Sequence, residues 1–334
     1  MSGIQPPLHG GRLHAAAEEF NIPLSDWLDL STGINPFAWQ PPAVPQYVWQ
    51  CLPDSYTALE SAAQQFYGAP MLAIPGSQWA IQHIPTVIAS NRVWLPRESY
   101  EEHRYWWQYH SHNVQPYDAL GTINLMAQDV VVVINPNNPT THVESAESLI
   151  QIAEQLHTLS GHLVIDEAFM DCTPQESVFN LGLPLPENML VLRSLGKFFG
   201  LAGLRLGFLY CRGSLHSQIT QKLGPWVVSH PASYLGELAL LDTDWHKCMR
   251  RQLQQAALEL QTLLMQKFDS ATVHSTNLFS TVQLNSDTAL DFYQHCARRG
   301  ILIRHFEQWN KIRVGLTTQN GMERLNIALK CWNF

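Results

Sequence analysis

The chain has 334 residues, 46% of them hydrophobic and 14% charged, which is the balance of an ordinary soluble globular protein with about two domains. Its formal net charge of −8 excludes general affinity for nucleic acid or anionic membrane, so any anionic ligand has to be captured by a local cluster of cations. The six cysteines (Cys51, Cys172, Cys211, Cys248, Cys296, Cys331) lack a C-x-x-C pair, the opening lacks the apolar run of a signal peptide, and DVVVVIN is too short to cross a bilayer; together these point to reduced thiols and a cytoplasmic protein.

Residues 1–40 read as an N-terminal arm that contributes to the smaller domain and the substrate site, with one short helix in GRLHAAAEEF. A Pro-rich stretch then leads into a helix from about Tyr56 to Tyr67, ended by Gly68. From there strand-like and helix-like segments alternate: RVWLP, then ESYEEHRYWWQYH; DVVVVIN, then the amphipathic VESAESLIQIAEQLHTLSG; then the strands HLVIDEAF, MLVLRSL and GLRLGFLYC. Short apolar strands separated by helices predict an α/β fold, with a mostly parallel sheet covered on both faces, over residues 41–240. A long helix, DWHKCMRRQLQQAALELQTLLMQKF, opens a smaller α+β domain over 241–334. Its strands are NLFSTVQL and KIRVGL and its helices TALDFYQHCARRG and GMERLNIALKCW.

In open α/β sheets ligands bind outside the carboxyl ends of the strands. Asn135, Asn137 and Asn138 leave one strand in the turn NPNNPTT, and Asp166 and Glu167 end another. Lys197 follows the next, in RSLGKFFGLAGLRLG, where a charge among apolar and glycine residues is expensive. Asn-Pro turns are common punctuation, strand-end carboxylates are commonly solvated, and a half-buried lysine often snorkels to water. The alternative for Lys197 is a reactive amine held in a pocket. No metal site is expected: His110 and His112 have no obvious third ligand, and no H-E-x-x-H occurs. The eleven tryptophans read as packing.

The ordered set of Asn-Pro turn, Asp, Ser-x-x-Lys and Arg resembles the fold-type I enzymes that use pyridoxal 5'-phosphate, the class that includes the aminotransferases. The resemblance implies that Lys197 joins its amine to the cofactor aldehyde and that apolar surroundings favour its neutral form. It implies further that Asp166 keeps the pyridinium nitrogen protonated and that Asn138 donates to the ring's 3-oxygen. Ser194, Arg205 and the amides of Gly76, Ser77 and Gln78 would hold the phosphate. Tyr56 would reach the cofactor of a neighbouring subunit, which makes a homodimer the expected form. His103 is expected to stack on the ring, with Tyr100 next in order. Two positions depart from the aminotransferase pattern: Phe169 stands where a tyrosine is usual, and Thr140-Thr141 where glycine commonly follows the threonine.

The arm, LHGGRLHAAAEEF…LDLSTGINPF, is similar to the opening of the threonine-phosphate decarboxylases of cobalamin biosynthesis. That resemblance implies substrate roles for His9, Gly33 and Asn35, and for Arg304 and Arg313 in ILIRHFEQWNKIRVGL, whose guanidinium forks suit carboxylate or phosphate. The implied reaction is decarboxylation of L-threonine O-3-phosphate to (R)-1-amino-2-propanol O-2-phosphate. A histidinol-phosphate-type aminotransferase is the alternative enzyme, and a non-catalytic interaction protein of the same fold is the alternative of another class.

Overall fold

The computed structural model describes residues 5–182 and 184–333. The chain divides into two compact units. The first contains Trp39–Asn138 and His142–His246; the second contains Leu8–Ala38, Pro139–Thr141 and Lys247–Phe334.

The first unit is built on a seven-stranded sheet. In spatial order its strands are Leu72–Ile74, Gly207–Tyr210, Met189–Ser194, His162–Asp166, Asp129–Ile134, Arg92–Pro96 and Val114–Tyr117. The five from Met189–Ser194 to Val114–Tyr117 run parallel, and Gly207–Tyr210 is antiparallel to both of its neighbours. Every residue of Asp129–Ile134 and Met189–Ser194 is buried, which is why these segments read as unbroken apolar runs and not as an alternation. One face packs Ile74, Val93, Val130, Val132, Val164, Leu190 and Leu192 against Ile81 and Trp107 of the covering helices. Helix Ala146–Thr158 starts where Ser145 Oγ accepts the Ser148 amide, and helix Thr57–Tyr67 ends at Gly68 with φ +75°.

The segment read as one strand, GLRLGFLYC, is divided. Ala202–Leu204 forms a 3-10 turn, Arg205 adopts φ +53°, and the strand is only Gly207–Tyr210. Strand Leu72–Ile74, with three residues, and helix Ser77–His83, with seven, are too short to leave a periodicity in the sequence.

In the second unit four antiparallel strands lie in the order Arg304–Phe306, Lys311–Gly315, Phe279–Gln283, Val273–Ser275. Arm residues Leu28–Asp29 pair in parallel with Ile301–Leu302. The arm helix Leu13–Phe20 buries Ala16 against Trp27, Ala297 and Leu302. Among the described residues no helix is long and apolar enough to cross a membrane.

Candidate active site

The carboxyl ends of three neighbouring parallel strands gather the polar residues singled out above. Register places Asp166 beside Ile134 on one side and Leu192 on the other. The turn Asn135–Asn138, the carboxylate of Asp166 and the segment Ser194–Lys197 therefore leave adjacent strands at the same edge. Asn135 spends its side chain on the turn itself, accepting the Glu144 amide at 2.9 Å and donating to the Glu144 carbonyl at 3.1 Å. Asn137 donates to the Glu98 carbonyl at 2.8 Å, and Asn138 is buried at the mouth of the turn.

Asp166 is 4% exposed. Its Oδ1 accepts the Ala168 amide and its Oδ2 lies 3.0 Å from His103 Nε2. Lys197 is half-buried, with Nζ 5.1 Å from the ring centre of Phe169. The position at which a tyrosine hydroxyl was missing is thus an aromatic face against the lysine, a favourable site for a cation.

The expectation that His103 stacks on a bound ring is corrected. Its side chain is occupied at its edge by Asp166, and the residue is 1% exposed, so no face is open to a ligand. Tyr100, half-buried three residues earlier, is the next ring in order, with its centroid 6.4 Å from that of His103. Its hydroxyl reaches Gln78 Oε1 at 3.4 Å, while Gln78 Nε2 donates to the buried carboxylate of Glu102, which also takes the Trp106 indole at 2.8 Å.

A candidate phosphate cradle is assembled by close backbone approach. Strand pairing sets Gly207 opposite both Ile74 and Ser194. A Cβ on Gly207 would stand 2.7 Å from the Ser77 nitrogen, and one on Gly76, whose φ is +80°, would stand 2.8 Å from Arg205 Nη2. Both positions require glycine, and together they bring the Ser77 and Gln78 amides, Ser194 and the exposed Arg205 guanidinium to one place. That donor set, with Lys197 and Asp166 alongside, fits pyridoxal 5'-phosphate: cations and amides for a phosphate, an amine for an aldehyde, a carboxylate for a ring N–H.

Behind the cradle is a buried network that sequence reasoning missed. Arg193, 2% exposed, lies 3.1 Å from both Glu167 Oε2 and Asp171 Oδ1 and donates to Ser177 Oγ at 2.9 Å. Its guanidinium also covers the rings of Tyr67 and Phe179. Burial, with the Asp171 charge adding to it, pushes the Tyr67 phenol well above its ordinary range. Because Glu167 follows Asp166 and Arg193 precedes Ser194, this ion cluster clamps the ends of the two strands that carry the site. An arginine inside an apolar strand was the available signal.

Tyr56 is held by a backbone group of its own chain. Its hydroxyl donates to the Val228 carbonyl at 2.8 Å and accepts the Val228 amide at 3.0 Å, both in its own chain.

In the second unit Arg304 and Arg313 are directly opposed across neighbouring antiparallel strands, so their side chains leave the same face. Both guanidinia lie over Phe306, at 4.9 and 5.8 Å from its centroid. Arg313 donates to the Ser31 carbonyl at 2.5 Å, and Arg304 to the Leu8 carbonyl at 2.7 Å. Burial lowers the Arg304 pKa from its ordinary value. Gly33 and Asn35 are buried in the arm, with Asn35 Oδ1 accepting the Phe37 amide at 2.7 Å, and His9 is half-buried.

Fold and site together define a pyridoxal-phosphate enzyme of the aminotransferase fold. The family model for aminotransferase class I and II matches residues 26–329, and the chain belongs to that family. A threonine-phosphate decarboxylase from Pseudomonas aeruginosa is 39% identical over 331 residues, covering 96% of each chain. A histidinol-phosphate aminotransferase from Oleidesulfovibrio alaskensis is 30% identical over 54% of this chain and 48% of its own. Among solved structures, L-threonine-O-3-phosphate decarboxylase from Porphyromonas gingivalis superposes with a TM-score of 0.75 at 16% identity, covering 90% of this chain and 98% of that one.

Proposed function

We propose that the protein is a pyridoxal-phosphate-dependent decarboxylase of L-threonine O-3-phosphate, giving (R)-1-amino-2-propanol O-2-phosphate for cobalamin synthesis. The likeness to the Pseudomonas aeruginosa decarboxylase along almost the whole chain supports this reading. The geometric observation that carries it is the directly opposed pair Arg304 and Arg313. Two like charges across a ladder are destabilising unless an anion offsets them, and this substrate brings both a carboxylate and a phosphate.

When bound, pyridoxal phosphate supplies the sink for the electron pair released as the Cα–carboxylate bond breaks. Lys197 would hold the cofactor through its amine, and the same amine is placed to return a proton to Cα. Asp166 holds a proton at the ring nitrogen, and His103 with the Ala168 amide fixes the direction of that carboxylate. Ser194, Arg205 and the amides of Ser77 and Gln78 would hold the cofactor phosphate, and Tyr100 would face its ring. Arg313 orients the departing carboxylate, while Arg304, His9 and Asn35 take the substrate phosphate.

The partner we assign is a second copy of the chain. Tyr47, Trp49, Leu52 and Trp226 are all exposed, and His230 meets the Tyr47 ring and the Cys51 carbonyl. Light scattering should give twice the chain mass.

The test of the reaction is to incubate the holoenzyme with threonine phosphate and no keto acid, and to measure CO2. Stoichiometric CO2 and amine phosphate are expected. Turnover that starts only when a keto acid is added, without CO2, would make the protein an aminotransferase.

A further inference from the structure

The arm places a third arginine beside the opposed pair. Arg12 stands immediately before helix Leu13–Phe20, and its exposed guanidinium makes no hydrogen bond or ion pair to any described residue. Three contacts fix the chain on either side of it. Arg304 donates to the carbonyl of Leu8, four positions before Arg12. The Gly11 amide, next to Arg12, donates to Ser31 Oγ at 2.7 Å, and the carbonyl of that same Ser31 accepts from Arg313. On the other side, Leu13 packs in the cluster that includes Tyr293 and Leu302.

The two glycines of His-Gly-Gly make this approach possible. A Cβ on Gly10 would stand 2.3 Å from the Ser31 carbonyl oxygen, and Gly11 turns the chain at φ +77°. The arm is thereby pressed onto Ser31, and Arg12 emerges within electrostatic reach of Arg304. The Arg304 pKa is lowered by burial first and by the Arg12 charge in addition. Neither guanidinium has a carboxylate partner among the described residues. Glu19 of the arm helix acts on Tyr293, as both arginines do in the opposite sense.

Arg12 acts electrostatically on Arg304, and Arg304 is directly opposed to Arg313, so the arm adds a cation to this pair in a chain whose net charge is −8. We propose that Arg12 is a specificity-determining residue that receives the substrate phosphate together with Arg304; this rests on the reading above that the substrate is a phosphorylated amino acid. The charge count agrees: the carboxylate engages Arg313, and a phosphate of about −1.5 to −2 at neutral pH takes two cations.

The test compares Arg12→Ala, Arg12→Lys and Arg304→Ala in the holoenzyme, with thermal melting to confirm folding. Arg12→Ala should lower kcat/KM for threonine phosphate about tenfold, mainly through KM, as loss of one charge-assisted hydrogen bond does. Its preference for threonine phosphate over threonine should fall by a similar factor. Competitive inhibition by inorganic phosphate, the direct probe of the site, should weaken in parallel, and Arg12→Lys should recover part of each effect. A KM and a phosphate inhibition constant within twofold of the parent, while Arg304→Ala is impaired, would overturn the role of Arg12 alone. If Arg304→Ala is also unaffected, the substrate-phosphate reading itself fails.

Discussion

Two buried carboxylates sit at opposite ends of the same sheet. Asp129, 0% exposed, begins one strand, and Asp166 ends the strand beside it. Asp129 is closed off by four donors: Arg92 Nε at 2.9 Å, Arg92 Nη2 at 2.6 Å, Trp94 Nε1 at 3.1 Å and the Met126 amide at 2.8 Å. An ionised carboxylate has about four acceptor positions, so none is left for a ligand. Asp166 has two partners, the Ala168 amide and His103. Its remaining acceptor capacity, at the carboxyl edge of the strands, is what a ring N–H requires. Burial and residue type are the same at both ends; the number of internal donors separates the aspartate closed off by the fold from the one we propose to serve chemistry.

The comparison can be broken by mutation at each end. Lys197→Ala should have the largest effect, abolishing turnover in a folded protein, because among the described residues only this lysine accompanies Asp166 and Ser194 at the site; residual turnover of even a few per cent would place the amine elsewhere. Asp166→Ala should keep the fold and some cofactor but lose about 10²- to 10³-fold in kcat, the usual scale for one aimed electrostatic group. Near-normal kcat there would remove the distinction between the two ends. Asp129→Ala should act in the opposite sense, lowering unfolding free energy by about 3 kcal/mol by stranding Arg92 and the Trp94 and Met126 donors, while specific activity of the folded fraction stays at the parent level.

A smaller effect sharpens the same contrast. Burial alone would raise the Asp129 pKa, but hydrogen bonds from Arg92, the Met126 amide and Trp94 outweigh it and hold the carboxyl below its ordinary range. The stability this contributes is full above the unfolded pKa of about 3.9 and is lost as pH falls through the folded value. Asp129→Asn should therefore flatten the acid limb of a stability–pH curve below about pH 4.

What the sequence revealed and what it concealed follow from how each residue is held. Asn138, Asp166, Ser194 and Lys197 were legible because each comes at the end of a buried, unbroken apolar strand, where chain order alone implies a shared edge. Arg205 was found by spacing, but its left-handed backbone and the division of its strand were not, since neither leaves a pattern in residue type. The partnership of His103 with Asp166 joins residues far apart in the chain, and helical position cannot say whether a ring stacks on a ligand or meets a carboxylate edge-on. The Arg193 clamp and the Glu102–Gln78–Tyr100 chain were hidden for the same reason. Gly10 and Gly11 appeared as part of a short motif; their purpose, close approach to Ser31, appears only once the arm is seen folded against it.

The most direct measurement is reduction of the holoenzyme with borohydride, followed by proteolysis and mapping of the pyridoxyl-bearing peptide. The label should fall on Lys197, in the segment joining Ser194 to Arg205. A label on any other lysine, or visible cofactor absorbance that borohydride does not discharge, would contradict a site built at the carboxyl edge of these strands.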